Sequence, residues 1–179
     1  MKKLMLSVLG AAALVMGGCG GESRMREVPG PRPDFPEEVQ GQRFELRLKG
    51  VNNPGYASAL VQVRRVSVTT VDGQSLPVRL KSRFAMDLTQ TEQAYLLGLF
   101  VVPEGVDRVK VEVEFDDFGG YEGASGDGVI DTRVAPLRFE SPVAYLAERG
   151  HAVVHLDLGQ SLQAQGEGRL LLPSLDVRY

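Results

Sequence analysis

Residues 108–115 read RVKVEVEF. Val109, Val111, Val113 and Phe115 occupy every second position, and Arg108, Lys110, Glu112 and Glu114 stand between them. A β-strand sends successive side chains to opposite faces, whereas a helix would scatter these residues around its circumference. The octet therefore predicts a strand with one face in a core and the other in water. Phe44, Leu46 and Leu48 repeat the pattern against Glu45, Arg47 and Lys49. Both read as half-buried antiparallel strands.

Leu60 to Val71 carries an irregularity. Val61 and Val63 mark one parity, Val66 and Val68 the other. A one-residue slip would put half of the apolar side chains into water unless the strand absorbs an extra residue, which predicts a β-bulge at Arg64-Arg65. Further strands are expected at Leu76–Leu80, Tyr95–Val102, Val129–Phe139, Ala152–Leu158 and Arg169–Tyr179, separated by turns at Val71-Asp72-Gly73, Pro103-Glu104-Gly105 and a glycine-rich loop after Phe115. Ser141-Pro142 with Gly150 eight residues on fits a short capped helix. The alternation of Val143, Tyr145 and Ala147 favours a hairpin through Glu148-Arg149-Gly150 instead. Seven to nine short strands without a sustained helix predict an all-β fold, an antiparallel β-sandwich of immunoglobulin-like architecture, over residues 43–179. The cysteine pair and buried tryptophan of true immunoglobulin domains are absent, since the chain has one Cys and no Trp.

The amino terminus is of another kind. Lys2 and Lys3 precede an apolar run from Leu4 to Met16, followed by Gly17, Gly18 and Cys19. These are the regions of an export signal, and the run is well short of the ~20 residues that cross a bilayer as a helix. Met16-Gly17-Gly18-Cys19 resembles the lipobox of bacterial lipoproteins, with Met where Leu is commoner. The resemblance implies cleavage after residue 18 and acylation of Cys19. Gly20 follows where aspartate would favour the inner membrane, which implies a lipid anchor in the outer membrane of the cell envelope. Removing 1–18 takes Lys2 and Lys3 with it and leaves 18 cationic against 23 acidic side chains, a formal charge of −5. A mildly acidic surface without a basic run argues against nucleic acid as a partner. Residues 19–42, with four prolines between Gly20 and Gln42, read as a tether reaching up to roughly 70 Å at ~3.1 Å per residue in polyproline form. With its one thiol acylated, the domain has to rest on an apolar core.

Over most of 44–179, ALVQVRRVSVTTVDG, the turn in FVVPEGVDRVKVEV and the closing VVHLDLGQSL and LLLPSLDV are similar to an uncharacterised family of bacterial lipid-anchored domains. That likeness implies a sandwich at a membrane and brings no catalytic residues.

For binding, the most suggestive stretch is DDFGGYEGASGDGVID, residues 116–131, with Asp116, Asp117, Glu122, Asp127 and Asp131 among five glycines. Several carboxylates on a flexible loop are what calcium needs. An EF-hand alignment puts Gly123, Ser125 and Val134 where acids are required, so only an irregular calcium site is open. The bland alternative is a soluble connection in which glycines permit turns. Tyr121 is the candidate aromatic contact for a glycan. In HAVVHLD, residues 151–157, His151, His155 and Asp157 share one face of a strand, but the two histidines stand ~13 Å apart and Asp157 lies farther along, too far for one metal ion. Ser125 lacks the glycine spacing of a nucleophile elbow, and adjacent Asp116 and Asp117 would point oppositely rather than flank a glycosidic bond. The expectation is a membrane-anchored binding or structural module with a protein or glycan partner and no catalysis. A calcium-dependent carbohydrate or protein binder is the alternative, and a secreted hydrolase is more remote.

Overall fold

A computed structural model describes residues 39–124 and 126–179. The signal segment, Cys19 and nearly all of the tether fall outside the described residues. So does Ser125. The chain is mostly β, with fourteen strands and two short helices among the described residues, more strands than the seven to nine expected.

The alternating octet forms β7, Arg108–Phe115, with Val109, Val111, Val113 and Phe115 buried. It is the middle of three antiparallel strands, between β3, Val63–Thr70, and β10, Leu137–Pro142. The same three segments continue into a second sheet. β2, Tyr56–Val61, precedes β3 across Gln62. β8, Phe118–Gly123, follows β7, and β9, Gly126–Asp131, precedes β10. Their order there, β9-β8-β2, repeats β10-β7-β3. Three long strands therefore run through both sheets and bend together near residues 62, 116–117 and 132–136. The bend is pinned where Asp116 N donates to the Gln62 carbonyl (2.8 Å), Thr132 N to the Asp117 carbonyl (3.2 Å), and the Thr132 hydroxyl to the Asp116 carbonyl.

The predicted bulge is present. Val63 faces Phe115 and Arg65 faces Glu114, so Arg64 is the extra residue. Val61 and Val63 before it, and Val66 and Val68 after it, are all buried.

The opposing sheet has five strands. β1, Gln42–Val51, lies between β6, Tyr95–Val102, and β11, His151–Asp157. β4, Val78–Leu80, and β14, Leu175–Arg178, form its edges. β1 runs antiparallel to β6 but parallel to β11, so the expectation of purely antiparallel pairing is corrected. Phe44, Leu46 and Leu48 from β1, Phe100 from β6 and Ala152, Val154 and Leu156 from β11 join the valines of the bent strands in one apolar cluster. Burial of this kind contributes about 1.5–3 kcal/mol for each large aliphatic or aromatic side chain. Phe44 and Phe100 meet at 5.6 Å between ring centroids.

Four expected segments divide or change. Leu76 is buried but hydrogen bonds back to β3 through the Val68 carbonyl, and Ser75 bridges Thr69, while Val78–Leu80 pairs with β6. Residues 75–80 thus stitch one sheet to the other. Val129–Phe139 breaks at the bend around Pro136. Arg169–Tyr179 breaks at Pro173, which has no N–H to give a ladder, into β13, Gly168–Leu171, on the six-stranded sheet and β14 on the five-stranded one. β5, Met86–Asp87, and β12, Leu162–Gln165, complete the six-stranded sheet.

The fourth is the expected hairpin at 141–150, which is instead a helix, α1, Val143–Arg149. A strand would have turned Val143, Tyr145 and Ala147 inward; the helical turn buries Leu146 completely and leaves Tyr145 exposed. Gly150 stops it in the left-handed region (φ 76), its N–H donating to the Leu146 carbonyl at 2.7 Å. Glycine is the residue that takes this conformation without a Cβ penalty. A second helical turn, α2, Leu158–Ser161, takes Leu158 out of the expected strand; its cap is Asp157, which accepts from Gln160 N.

Adjacent glycines in β8 report on this register. A Cβ on Gly119 would collide with the Leu60 carbonyl oxygen of β2, whereas one on Gly120 would meet nothing nearer than 3.9 Å. Gly119→Ala is expected to destabilise by about 1–3 kcal/mol, and Gly120→Ala to be neutral or to stabilise by up to ~1 kcal/mol. Urea denaturation of the two variants, read by circular dichroism, checks the contrast.

Candidate functional site

The expected acidic loop is a hairpin of β8 and β9. Phe118 pairs with Asp131, Gly120 with Val129, Tyr121 with Gly128, Glu122 with Asp127 and Gly123 with Gly126. The glycines read as loop formers are needed inside the strands. A Cβ on Gly128 would stand 2.9 Å from the Tyr121 ring, so glycine here lets the opposite aromatic lie flat across the strand.

That arrangement corrects the role expected for Tyr121. It is only 6% exposed, held edge-on to Tyr56 with 5.7 Å between centroids, beneath the Arg169 guanidinium at 5.1 Å, with its hydroxyl donating to the Glu167 carbonyl at 3.2 Å. Arg169 Nε in turn donates to the Tyr56 hydroxyl at 3.0 Å. Tyr121 is a packing residue that fastens the hairpin to β2 and β13, not a platform facing solvent.

The five acids are distributed rather than gathered. Asp116 bonds through its backbone, at the bend. Asp117 pairs with Arg64 at 3.0 Å. Asp131 accepts both from the backbone and from the guanidinium of Arg133, 2.7 Å at its closest. Those bonds hold its carboxyl down at about 2. Glu122 and Asp127 face each other at the exposed tip, a like-charge pair that a strand ladder disfavours. Among the described residues no three His, Cys, Asp or Glu side chains come together as metal ligands. Arginines serve Asp117 and Asp131 where a cation would have to bind.

The bulge creates a second charged cluster that sequence reasoning left unassigned. Two consecutive arginines emerge on one side of β3 and both reach Glu114, Arg64 at 3.2 Å and Arg65 more closely. Hydrogen bonding from Arg65, ahead of a smaller opposing effect of burial, holds the Glu114 carboxyl below its ordinary range. Arg138 adds a bond to Glu112 at 2.7 Å. A shallow depression of about 290 Å³ lies among Arg64, Glu114, Arg133 and Arg138. The predicted bulge supplied part of the signal, but the register that sets the arginines opposite Glu114 comes from the fold.

The histidine strand behaves as its alternation predicts, with Ala152, Val154 and Leu156 buried and His151, Val153, His155 and Asp157 on the other face. His155 sits across from Lys49 on β1 and Asp176 on β14. Asp157 is committed to Asn52, whose amide donates at 2.7 Å. Asn52 is the one non-glycine residue with positive φ (51) among those described, a conformation asparagine tolerates better than most. A cavity of about 260 Å³ opens between Asn52, His155, Gln160 and Arg178. It is lined chiefly by polar groups already bonded to one another, Ser174 to Gln160 at 2.9 Å included.

Burial, then the positive charges of Arg178 and Lys49, push the His155 imidazole below its ordinary value, with Asp176 opposing. The unfolded chain takes up this proton near pH 6.5 while the folded chain resists it, so His155 subtracts stability as pH falls from there through the lower folded value. Arg178→Ala is expected to raise the His155 midpoint, followed by NMR, and Asp176→Asn to lower it.

No family model, curated protein or solved structure matches this chain.

Proposed function

We propose that the protein is a lipid-anchored, non-catalytic binding or structural module of the bacterial cell envelope, held at the outer membrane by acyl chains on Cys19. The observation that carries this reading is Met16-Gly17-Gly18-Cys19, with the one thiol of the chain directly behind an export-signal pattern. Each buried methylene contributes about 0.8 kcal/mol, and two or more chains give stable anchoring. The tether of 19–42 then sets the domain off from the bilayer. Membership in a family of lipid-anchored sandwich domains rests on the motifs within 44–179, and the immunoglobulin-like description of the fold on two opposed layers with an early strand seated beside a late one.

The polar side chains support binding rather than catalysis. Activated catalytic groups sit in clefts with desolvated, strongly perturbed partners. Here the perturbed carboxylates lie on open faces and are explained by arginine or backbone partners. The alternative of a calcium-dependent carbohydrate or protein binder at 116–131 has the Glu122–Asp127 tip for it, and against it the occupation of Asp117 and Asp131 by Arg64 and Arg133.

Mass spectrometry of the mature chain is expected to find an acylated first residue at Cys19, and a Cys19→Ala variant to leave the membrane fraction. Retention of that variant in membranes, or a mature chain beginning elsewhere without acyl groups, overturns the anchor. A thermal shift on adding calcium, lost in Asp127→Asn, would replace the module reading with the calcium one.

A further inference from the structure

We propose that the outer face of the six-stranded sheet is a self-association surface, taking the same face of a second copy of this chain. Leu60 on β2, Gly120 on β8 and Val129 on β9 stand in one row across three adjacent strands. Leu60 is 41% exposed and Val129 52%. Between them Gly120 has no side chain, and an added Cβ would meet nothing nearer than the Gly128 carbonyl oxygen at 3.9 Å. The row therefore has apolar walls and a hole at its centre.

Two residues along the same strand, on the same face and about 7 Å away, stands Phe118, 55% exposed. Its ring lies under the Arg133 guanidinium, 4.7 Å from the centroid, which fixes its orientation before any partner arrives. A knob and a hole side by side on one strand have a simple geometric consequence. A two-fold axis passing between them, over Gly119, seats Phe118 of each copy in the Gly120 hole of the other. An isologous interface needs this self-complementarity.

The rim selects the occupant. At the bend end it carries Arg133 paired with Asp131 and Arg64 paired with Asp117, and at the hairpin tip Glu122 opposite Asp127, so acids outnumber arginines on this face. The face complements itself, because a two-fold over Gly119 reverses the strand and brings the Arg133 end of one copy to the Glu122–Asp127 tip of the other. It has no cation excess with which to hold an anionic bilayer or a polyanion. Aromatic residues and arginine are the types enriched in protein–protein contacts. The face is small, so the dimer is of the transient kind, and confinement of anchored copies to one bilayer would raise their effective concentration. The pairing itself does not depend on the anchor.

Sedimentation velocity tests this with the full chain carrying Cys19→Ala. That chain is expected to shift from monomer towards dimer as concentration rises. Adding Phe118→Ala leaves two holes and adding Gly120→Phe leaves two knobs, so each variant alone is expected to stay monomeric. Mixed together they restore the dimer, because holes then meet knobs. Phe118→Ser and Gly120→Leu take their places if either loses its cooperative melt. A chain that stays monomeric, association that survives both substitutions, or a mixture that fails to associate overturns the proposal. Phe118-dependent binding to phosphatidylglycerol vesicles by a monomeric chain would assign the face to the bilayer instead.

Discussion

One extra residue, Arg64, decides which way half of this protein faces. The long strand from Tyr56 to Thr70 has to send both Val61 and Val63, before the bulge, and Val66 and Val68, after it, into the core, Val61 from the six-stranded sheet and the other three from the three-stranded one. Strict alternation cannot do both, since the two valine pairs have opposite parity. The bulge restores the phase at the point where all three long strands bend. Its two arginines then fall on the same outer side and meet on Glu114. The ion pairs are a consequence of the bulge more than its cause, because exposed pairs contribute only about 0–1 kcal/mol each, less than a single misplaced valine costs.

The outer surface follows from that choice. With the inward positions of the bent strands mostly apolar, the outward positions carry what remains, and they sort along the strands. Charged pairs occupy the three-stranded end, from Lys110 and Glu112 to Arg138, while Leu60, Phe118 and Val129 collect at the six-stranded end. The bend separates the two and supplies Arg64 and Arg133 to the border. This molecule presents a charged face and an apolar one on a single bent layer.

Much of this was legible in the sequence. The alternation at 44–48, 108–115 and 151–157 found three strands and their buried faces, and the parity change at 61–68 found the bulge. Three failures have physical causes. Glycines in 116–131 were read as turn formers, but Gly119 and Gly128 are there because another backbone or a tyrosine ring approaches too closely for a Cβ, a property of the neighbour and invisible in the local pattern. The alternation at 143–147 pointed to a strand, but tertiary burial of Leu146 and the Gly150 stop outweighed it. The partition of strands between sheets, and the parallel pairing of β1 with β11, depend on contacts more than a hundred residues apart. As for the site, the acids were found but not their partners. Arg133 lies beside Asp131 in sequence, whereas Arg64 reaches Asp117 only through the fold.

The residue count at the bulge can be tested directly by comparing deletion of Arg64 with Arg64→Ala in thermal unfolding. Substitution keeps the extra residue and loses only exposed ion pairs, so it should lower stability by no more than about 1 kcal/mol. Deletion removes the phase change, must turn either Val61 and Val63 or Val66 and Val68 outward, and should abolish the cooperative transition. A deletion variant that melts like the parent would show that the strand does not need the extra residue, and the orientation of both faces would have to be explained some other way.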